Sequence, residues 1–227
     1  MTTDADDALR TARILLEIEA IHIRPNQPFT FTSGWASPVY VDCRKVISFP
    51  RARRAIIDMA VAKIERAIGF EALDAVAGGE TAGIPYAAWI AERLGLPMLY
   101  VRKKPKGFAR NAQIEGALAD GARVLLVEDL ASDGKSKLVF VEALRNAGAE
   151  VKDALVVFFY SVFPGGLAAL DKIGVRLHAL ATWKAILEVA DADQKFSARD
   201  LVEVRAFLDD PIKWSVAHGG AGETASA

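Results

Sequence analysis

From residue 50 onward, short and uninterrupted apolar runs alternate with stretches of helical character, and this alternation leaves the chain very few architectures. The runs are "LDAVAGG", "LPMLYVRK", "ARVLLVED", "VKDALVVFFY" and "RLHALAT". A strand with no polar alternation must be covered on both sides, as in a parallel sheet with helices on its two faces. The segments between the runs read as helices: Arg51 to Ile68 opened by Pro50, Gly83 to Leu94, Gly134 to Asn146, and a shorter one from Gly165 to Lys172. The expected fold is therefore α/β, with a central mainly parallel sheet flanked by helices. Ligands of such sheets collect at the carboxyl ends of the strands.

Ahead of this core, Leu9, Ala12, Leu15 and Leu16 recur at helical spacing and predict a helix from Asp6 to Ile21. The next stretch, "RPNQPFTFTSGWASPVYVDCRK", alternates aromatic or branched residues with polar ones and is broken by Pro and Gly, which predicts short strands around a turn, a hood on the core. After the core, "DADQKFSARDLVEVRAFLDDPIKW" reads as one or two packing helices with Trp214 buried, and "HGGAGETASA" as a disordered tail. The expected division is residues 1–48 as helix and hood, 49–190 as the core, and 191–227 as C-terminal helices and tail.

With 227 residues and 52% hydrophobic content the chain can bury a large core. Its 28 basic and 29 acidic residues nearly cancel, so no global field recommends a nucleic acid or a membrane, and any anion site must be local. A single cysteine, Cys43, excludes an internal disulfide framework. No apolar stretch approaches the roughly 20 residues needed to cross a bilayer, and "MTTDADDALRTAR" lacks the features of a signal peptide. The expectation is a cytoplasmic protein without nucleic-acid or membrane partners. His22, His178 and His218 have no spacing that suits a metal site or a catalytic triad; the first two are expected in apolar surroundings.

The segment "LLVEDLASDGKSK" decides the chemistry. Its Gly-Lys-Ser suggests an ATP-binding loop, but such a loop requires glycine five residues before Gly134, and Asp129 stands there. A carboxylate at that place repels the anion it should cradle. Taken from the strand instead, Glu128 and Asp129 suit ribose hydroxyls, while the loop amides, Ser132, Ser136 and the following helix N-terminus suit a phosphate dianion. A sugar phosphate fits both halves. The alternative is that the two acids only cap the helix and meet solvent.

Strand, paired acids and phosphate loop together resemble the type I phosphoribosyltransferase family. "FTFTSGWASPVYVDCR" is similar to the hood of its orotate-using members, "GGETAGIPYA" to their pyrophosphate loop, and "VRKKPKG" with "NAQIEG" to their mobile catalytic loop, in the family's order. The resemblance implies a type I phosphoribosyltransferase fold with an N-terminal hood, and an orotate phosphoribosyltransferase that uses phosphoribosyl pyrophosphate in pyrimidine synthesis. It implies that Glu128 and Asp129 hold the ribose hydroxyls and that Leu130, Ala131, Ser132, Asp133, Gly134, Lys135 and Ser136 form the 5-phosphate loop. Glu80, Thr81 and Ala82 would face pyrophosphate, Tyr40 would lie near the base, and Arg102, Lys103 and Lys106 would act with Asp129 in catalysis. The family's Mg2+ travels with the substrate, so no residue is assigned as its ligand, and a homodimer sharing the catalytic loop across its interface is implied. Cations on the leaving group are what displacement of pyrophosphate needs, and "RKKPK" concentrates four of them in five residues, on a segment that Pro105 and Gly107 let fold over a bound substrate.

Some positions depart from the family pattern. Phe108 replaces a histidine, Ala82 a lysine, Ala131 a threonine and Lys135 a small residue. The run Thr32 to Pro38 lacks the hood lysine, and "VVFFYSVFPGG" lacks an arginine near the base, leaving Arg44 and Lys45 as nearby cations. Phe31, Trp35 and Tyr40 are available either to stack on a base or to pack. These departures leave two alternatives to orotate transfer: a different base, or a non-catalytic regulator that binds phosphoribosyl pyrophosphate.

Overall fold

Thr3 starts the first helix, α1 (Asp4–Glu17): its hydroxyl accepts from the Asp6 amide, and the Asp6 carboxylate accepts from the Thr3 amide in return. The structure, a computed structural model, describes residues 3–31, 33–106, 113–132, 135–162 and 166–222, apart from the side chains of 135, 136 and 166. Helix α1 ends earlier than its periodicity predicts. Glu19 adopts a left-handed conformation with φ +56°, and Ala20 N–H closes on Leu15 O at 2.8 Å, a helix-stop geometry that sends the next residues into a strand.

That strand, β1 (Ile21–Ile23), pairs antiparallel with β4 (Val39–Val41), placing His22 opposite Tyr40. Between them lies a minimal hairpin, β2 (Phe29–Thr30) against β3 (Ala36–Ser37). A 3-10 helix over Cys43–Ser48 follows, then α2 (Pro50–Ala67), opened by its proline. Short strands around a turn are what the sequence predicts here.

The core continues with β5 (Ala75–Gly79), α3 (Gly83–Leu94), β6 (Met98–Val101), β7 (Ile114–Glu115), β8 (Arg123–Ala131), α4 (Lys135–Asn146), β9 (Glu150–Phe159), α5 (Gly166–Lys172) and β10 (Arg176–Thr182). The sheet order is β10-β9-β8-β5-β6-β7, parallel throughout except β7, which returns antiparallel beside β6. Alternate residues of β8 serve opposite faces, as a pleated strand requires. Leu125 and Val127 join the core under α1, α2 and α3, while Val124 and Leu126 join the core under α4 and α5. Leu125 and Leu126 are fully buried, each worth roughly 1.5–3 kcal/mol relative to an exposed side chain.

The C-terminal part differs from expectation. Helices α6 (Trp183–Ala192), α7 (Ala198–Asp209) and α8 (Pro211–Ala217) follow β10, so the first begins before residue 191. Trp183, Ile186, Val204, Phe207 and Trp214 belong to the same buried cluster as Ala12 and Leu15 of α1. In the described part of the expected disordered tail, residues 218–222, Ala221 N–H donates to Gly34 O of the hood at 2.9 Å. His178 is not in apolar surroundings: its Nε2 lies 2.7 Å from Asp153 Oδ1.

Candidate active site

The acids at the end of β8 occupy different environments. Glu128 is buried and Asp129 half-buried. Glu128 Oε2 lies 3.4 Å from Lys137 Nζ in the first turns of α4, and Lys137 also donates to Leu130 O. Glu128 Oε1 is buried with no hydrogen-bond partner among the described residues. The glycine-rich turn after β5 makes this position possible: a Cβ on Gly79 would stand 2.1 Å from Glu128 Oε1, and one on Gly83 would stand 2.7 Å from it. The glycines that carry the resemblance to a pyrophosphate loop therefore also make room for the acid.

Burial raises the Glu128 carboxyl from 4.5 to about 7, against the lowering influence of Lys137 and, more weakly, of Lys103. Asp129 is also raised, first by burial, and Lys137 and Arg44 oppose the shift. The charges of cations from three separate segments thus act on the paired acids.

Around them, Glu80 and Thr81 form the turn after β5, joined by a cis peptide bond, and Ala82 leads into α3 without a side-chain cap among the described residues. Thr81 is exposed and Ala82 half-buried. Glu80 Oε2 accepts from the Lys103 amide at 2.7 Å, which ties the turn to the cationic segment after β6. Lys103, Lys104 and Lys106 are exposed. Arg102 is held apart from them by Glu115 of β7, at 3.1 Å, and by backbone bonds to Gln113. In the phosphate loop, Ala131 is buried and Ser132 half-buried; Asp133 and Gly134 lie outside the described residues, as do Thr32 and Phe108, and only the backbone of Lys135 and Ser136, starting α4, is described.

The hood closes the other side. Arg44 donates to Asp42 Oδ1 at 2.9 Å and to the Tyr40 hydroxyl at 2.7 Å, and its charge acts on Asp129. Lys45 instead donates to Glu19 O at 2.9 Å. Of the aromatic residues, Trp35 is 2% exposed and packs, Phe31 meets Tyr160 edge-on, and Tyr40 remains half-exposed. Sequence reading assigned no role to Lys137 or Tyr160. A lysine in the first turns of the helix after two acids was the signal for Lys137; for Tyr160, whose hydroxyl accepts from Val41 N–H at 3.2 Å, there was none.

Among the described residues no cluster of three or more His, Cys, Asp or Glu could hold a metal ion. The half-buried Asp129 offers one hard oxygen donor, which fits a magnesium ion that keeps most of its coordination for water and phosphate oxygens. The cavity of about 500 Å3 lined by Ala190, Phe196, Leu201 and Arg205 lies at the α6–α7 junction, away from these groups.

A family model described as "Phosphoribosyl transferase domain" matches residues 48–192. The orotate phosphoribosyltransferase of Cereibacter sphaeroides is 55% identical over 216 residues, which is 95% of this chain and 93% of that one. Leishmania donovani UMP synthase matches 89% of the chain with TM-score 0.76 and 29% identity, and the chain spans 42% of that longer protein. Aeropyrum pernix orotate phosphoribosyltransferase matches 78% of this chain and 97% of its own, with TM-score 0.67 and 32% identity. The sheet, its hood and the loops at its carboxyl end have the type I phosphoribosyltransferase fold, and the chain belongs to the phosphoribosyltransferase family and, within it, to the orotate phosphoribosyltransferases.

Proposed function

We propose that the protein transfers the 5-phosphoribosyl group of phosphoribosyl pyrophosphate to orotate, giving orotidine 5-monophosphate and pyrophosphate. The observation that carries this reading is the paired acids Glu128 and Asp129 at the carboxyl end of β8, with Lys137 Nζ 3.4 Å from Glu128 and the charges of Lys103 and Arg44 acting on Glu128 and Asp129 respectively. A bond from the orotate ring nitrogen to the anomeric carbon forms as the bond from that carbon to pyrophosphate breaks, and the proton of that ring nitrogen is released to the departing pyrophosphate or to solvent. Positive character grows on the ribose and negative charge on the leaving group.

Each segment then has a task. Glu128 and Asp129 accept from the ribose hydroxyls, and their negative charge favours the cationic ribose. Residues 130–136 hold the 5-phosphate with loop amides and the N-terminus of α4. Glu80, Thr81 and Ala82 present the amides of the α3 N-terminus to pyrophosphate. Lys103 and Lys106, with Arg102 behind them on its Glu115 support, stabilise the departing charge. Tyr40 borders the base. Asp129 would meet the magnesium carried by the substrate, which would supply neutralisation of the pyrophosphate charge.

The protein acts as a cytoplasmic homodimer whose lysine-bearing loop completes the neighbouring subunit's site; no helix among the described residues is long and apolar enough to cross a membrane. Incubating the purified protein with magnesium, phosphoribosyl pyrophosphate and a panel of orotate, uracil and purines tests the reading, with the orotate absorbance change alone expected. Turnover that survives Asp129→Asn or Lys106→Ala in a folded protein overturns the assigned roles.

A further inference from the structure

The hood hairpin is too short to hold itself. Strands of two residues each, Phe29–Thr30 and Ala36–Ser37, offer few ladder hydrogen bonds, and an isolated hairpin is at best marginal in water. From the core side Tyr160 holds the adjoining strand β4, its hydroxyl accepting from Val41 N–H at 3.2 Å, while its ring meets Phe31 beside the hairpin and its own amide donates to Ala131 O at 2.9 Å. The opposite side is held by the C-terminus. Ser215, fully buried in α8, accepts from Ala36 N–H at 3.0 Å and donates to Ala221 O at 2.8 Å. Ala221 N–H then donates to Gly34 O, and Gly220 N–H to Ser215 O at 2.8 Å.

Chain geometry enforces the contact. A Cβ on Gly220 would stand 2.3 Å from Ala36 N and 2.4 Å from Ser215 Oγ, so the segment lies against the hood backbone as closely as glycine allows. Helix α8 is itself fixed. Trp214 meets Phe207 edge-on at 5.7 Å, donates to Glu203 Oε2 at 3.1 Å, and is covered by the stacked ring of His218 at 3.6 Å. Among the described residues no hydrogen bond or ion pair joins Ser215, Gly220 or Ala221 to the acids or the lysines of the site.

We propose that residues 215–221 are a strap that positions the hood over the base, with Ser215 as a positioning residue for orotate binding. The assignment of the base to the hood rests on the reading under Proposed function; the strap itself does not. Ser215→Ala leaves the buried Ala36 amide without its acceptor, and Ala221→Pro removes the donor to Gly34 while leaving Ser215 in place. Losing one such buried bond shifts the hood opening equilibrium by about tenfold.

Both full-length variants are expected to raise the KM for orotate by about five- to tenfold, with kcat and the KM for phosphoribosyl pyrophosphate within about twofold of wild type. Amide hydrogen exchange should speed up in peptides spanning residues 29–41 and stay unchanged in residues 123–131 of β8. Unchanged hood exchange in both variants overturns the strap. Faster hood exchange with an unchanged orotate KM overturns its role in base binding, as does a parallel loss for both substrates. If the wild-type protein turns over no orotate, the functional reading falls, and the strap stands or falls on the exchange result alone.

Discussion

The carboxylate of Glu128 rests on the backbone of Gly79, at a place where even a methyl group would come to 2.1 Å of its oxygen. The acid near the end of β8 and the glycine at the end of β5 are one packing unit across neighbouring parallel strands. Gly79→Ala would also meet the Phe140 ring, at 2.6 Å, so neither neighbour can yield without disturbing the core of α4. Overpacking of this kind costs about 1–3 kcal/mol. The expected outcome is a lowered denaturant midpoint together with a raised KM for phosphoribosyl pyrophosphate.

Glu128 makes stability depend on pH. Its folded carboxyl titrates at about 7 instead of 4.5 because burial disfavours the charged form. The folded chain therefore binds this proton more tightly than the unfolded chain. Its stabilising contribution is fully present below pH 4.5 and is lost as the pH rises through 7. At one pKa unit per 1.36 kcal/mol, the loss is about 3 kcal/mol at most. Urea midpoints of wild type and Glu128→Gln, compared between pH 5 and pH 8, should show the wild type falling relative to the variant across that interval.

Lys137 is the buried counter-charge. Removing it by Lys137→Met leaves the Glu128 carboxylate without its cation, and breaking a buried pair on one side costs about 3–5 kcal/mol unless the survivor takes up a proton. The acid should do so, titrating still higher than in the wild type. The expected result at pH 8 is a destabilised protein that recovers much of its stability at pH 5. Equal destabilisation at both pH values would show that packing, not charge, is lost.

Tyr160 ties the hood to the phosphate-loop strand: its hydroxyl accepts from the Val41 amide and its ring meets Phe31. Tyr160→Phe keeps the ring contacts with Phe158 and Trp183 and removes the acceptor of the Val41 amide. A buried donor left unmatched costs about 1–3 kcal/mol. Thermal denaturation should show that loss, and faster exchange of the Val41 amide should accompany it.

Much of this was legible locally. Uninterrupted apolar runs identify buried parallel strands, and so "RLHALAT" and the helix from Gly83 to Leu94 agree with the structure at both ends. Asp129 excludes an ATP loop by its position in the chain alone, and the adjacency of two acids to a strand end is likewise a local fact. The stop of α1 was missed because a left-handed glutamate leaves no periodic signature. Helix α6 was missed because its apolar residues follow directly on those of β10.

What the sequence determined by itself is the α/β sheet, the order of its loops and the residue types gathered at its carboxyl end, because each depends on hydrophobic period and on near neighbours in the chain. Only the tertiary structure decided that Glu128 is buried under Gly79 and Gly83, that Arg44 rather than Lys45 faces the acids, that Trp35 packs while Tyr40 stays open, and that the tail after α8 binds the hood. These are contacts between residues far apart in sequence. Their energies come from desolvation and close approach, which exist only once the elements have packed.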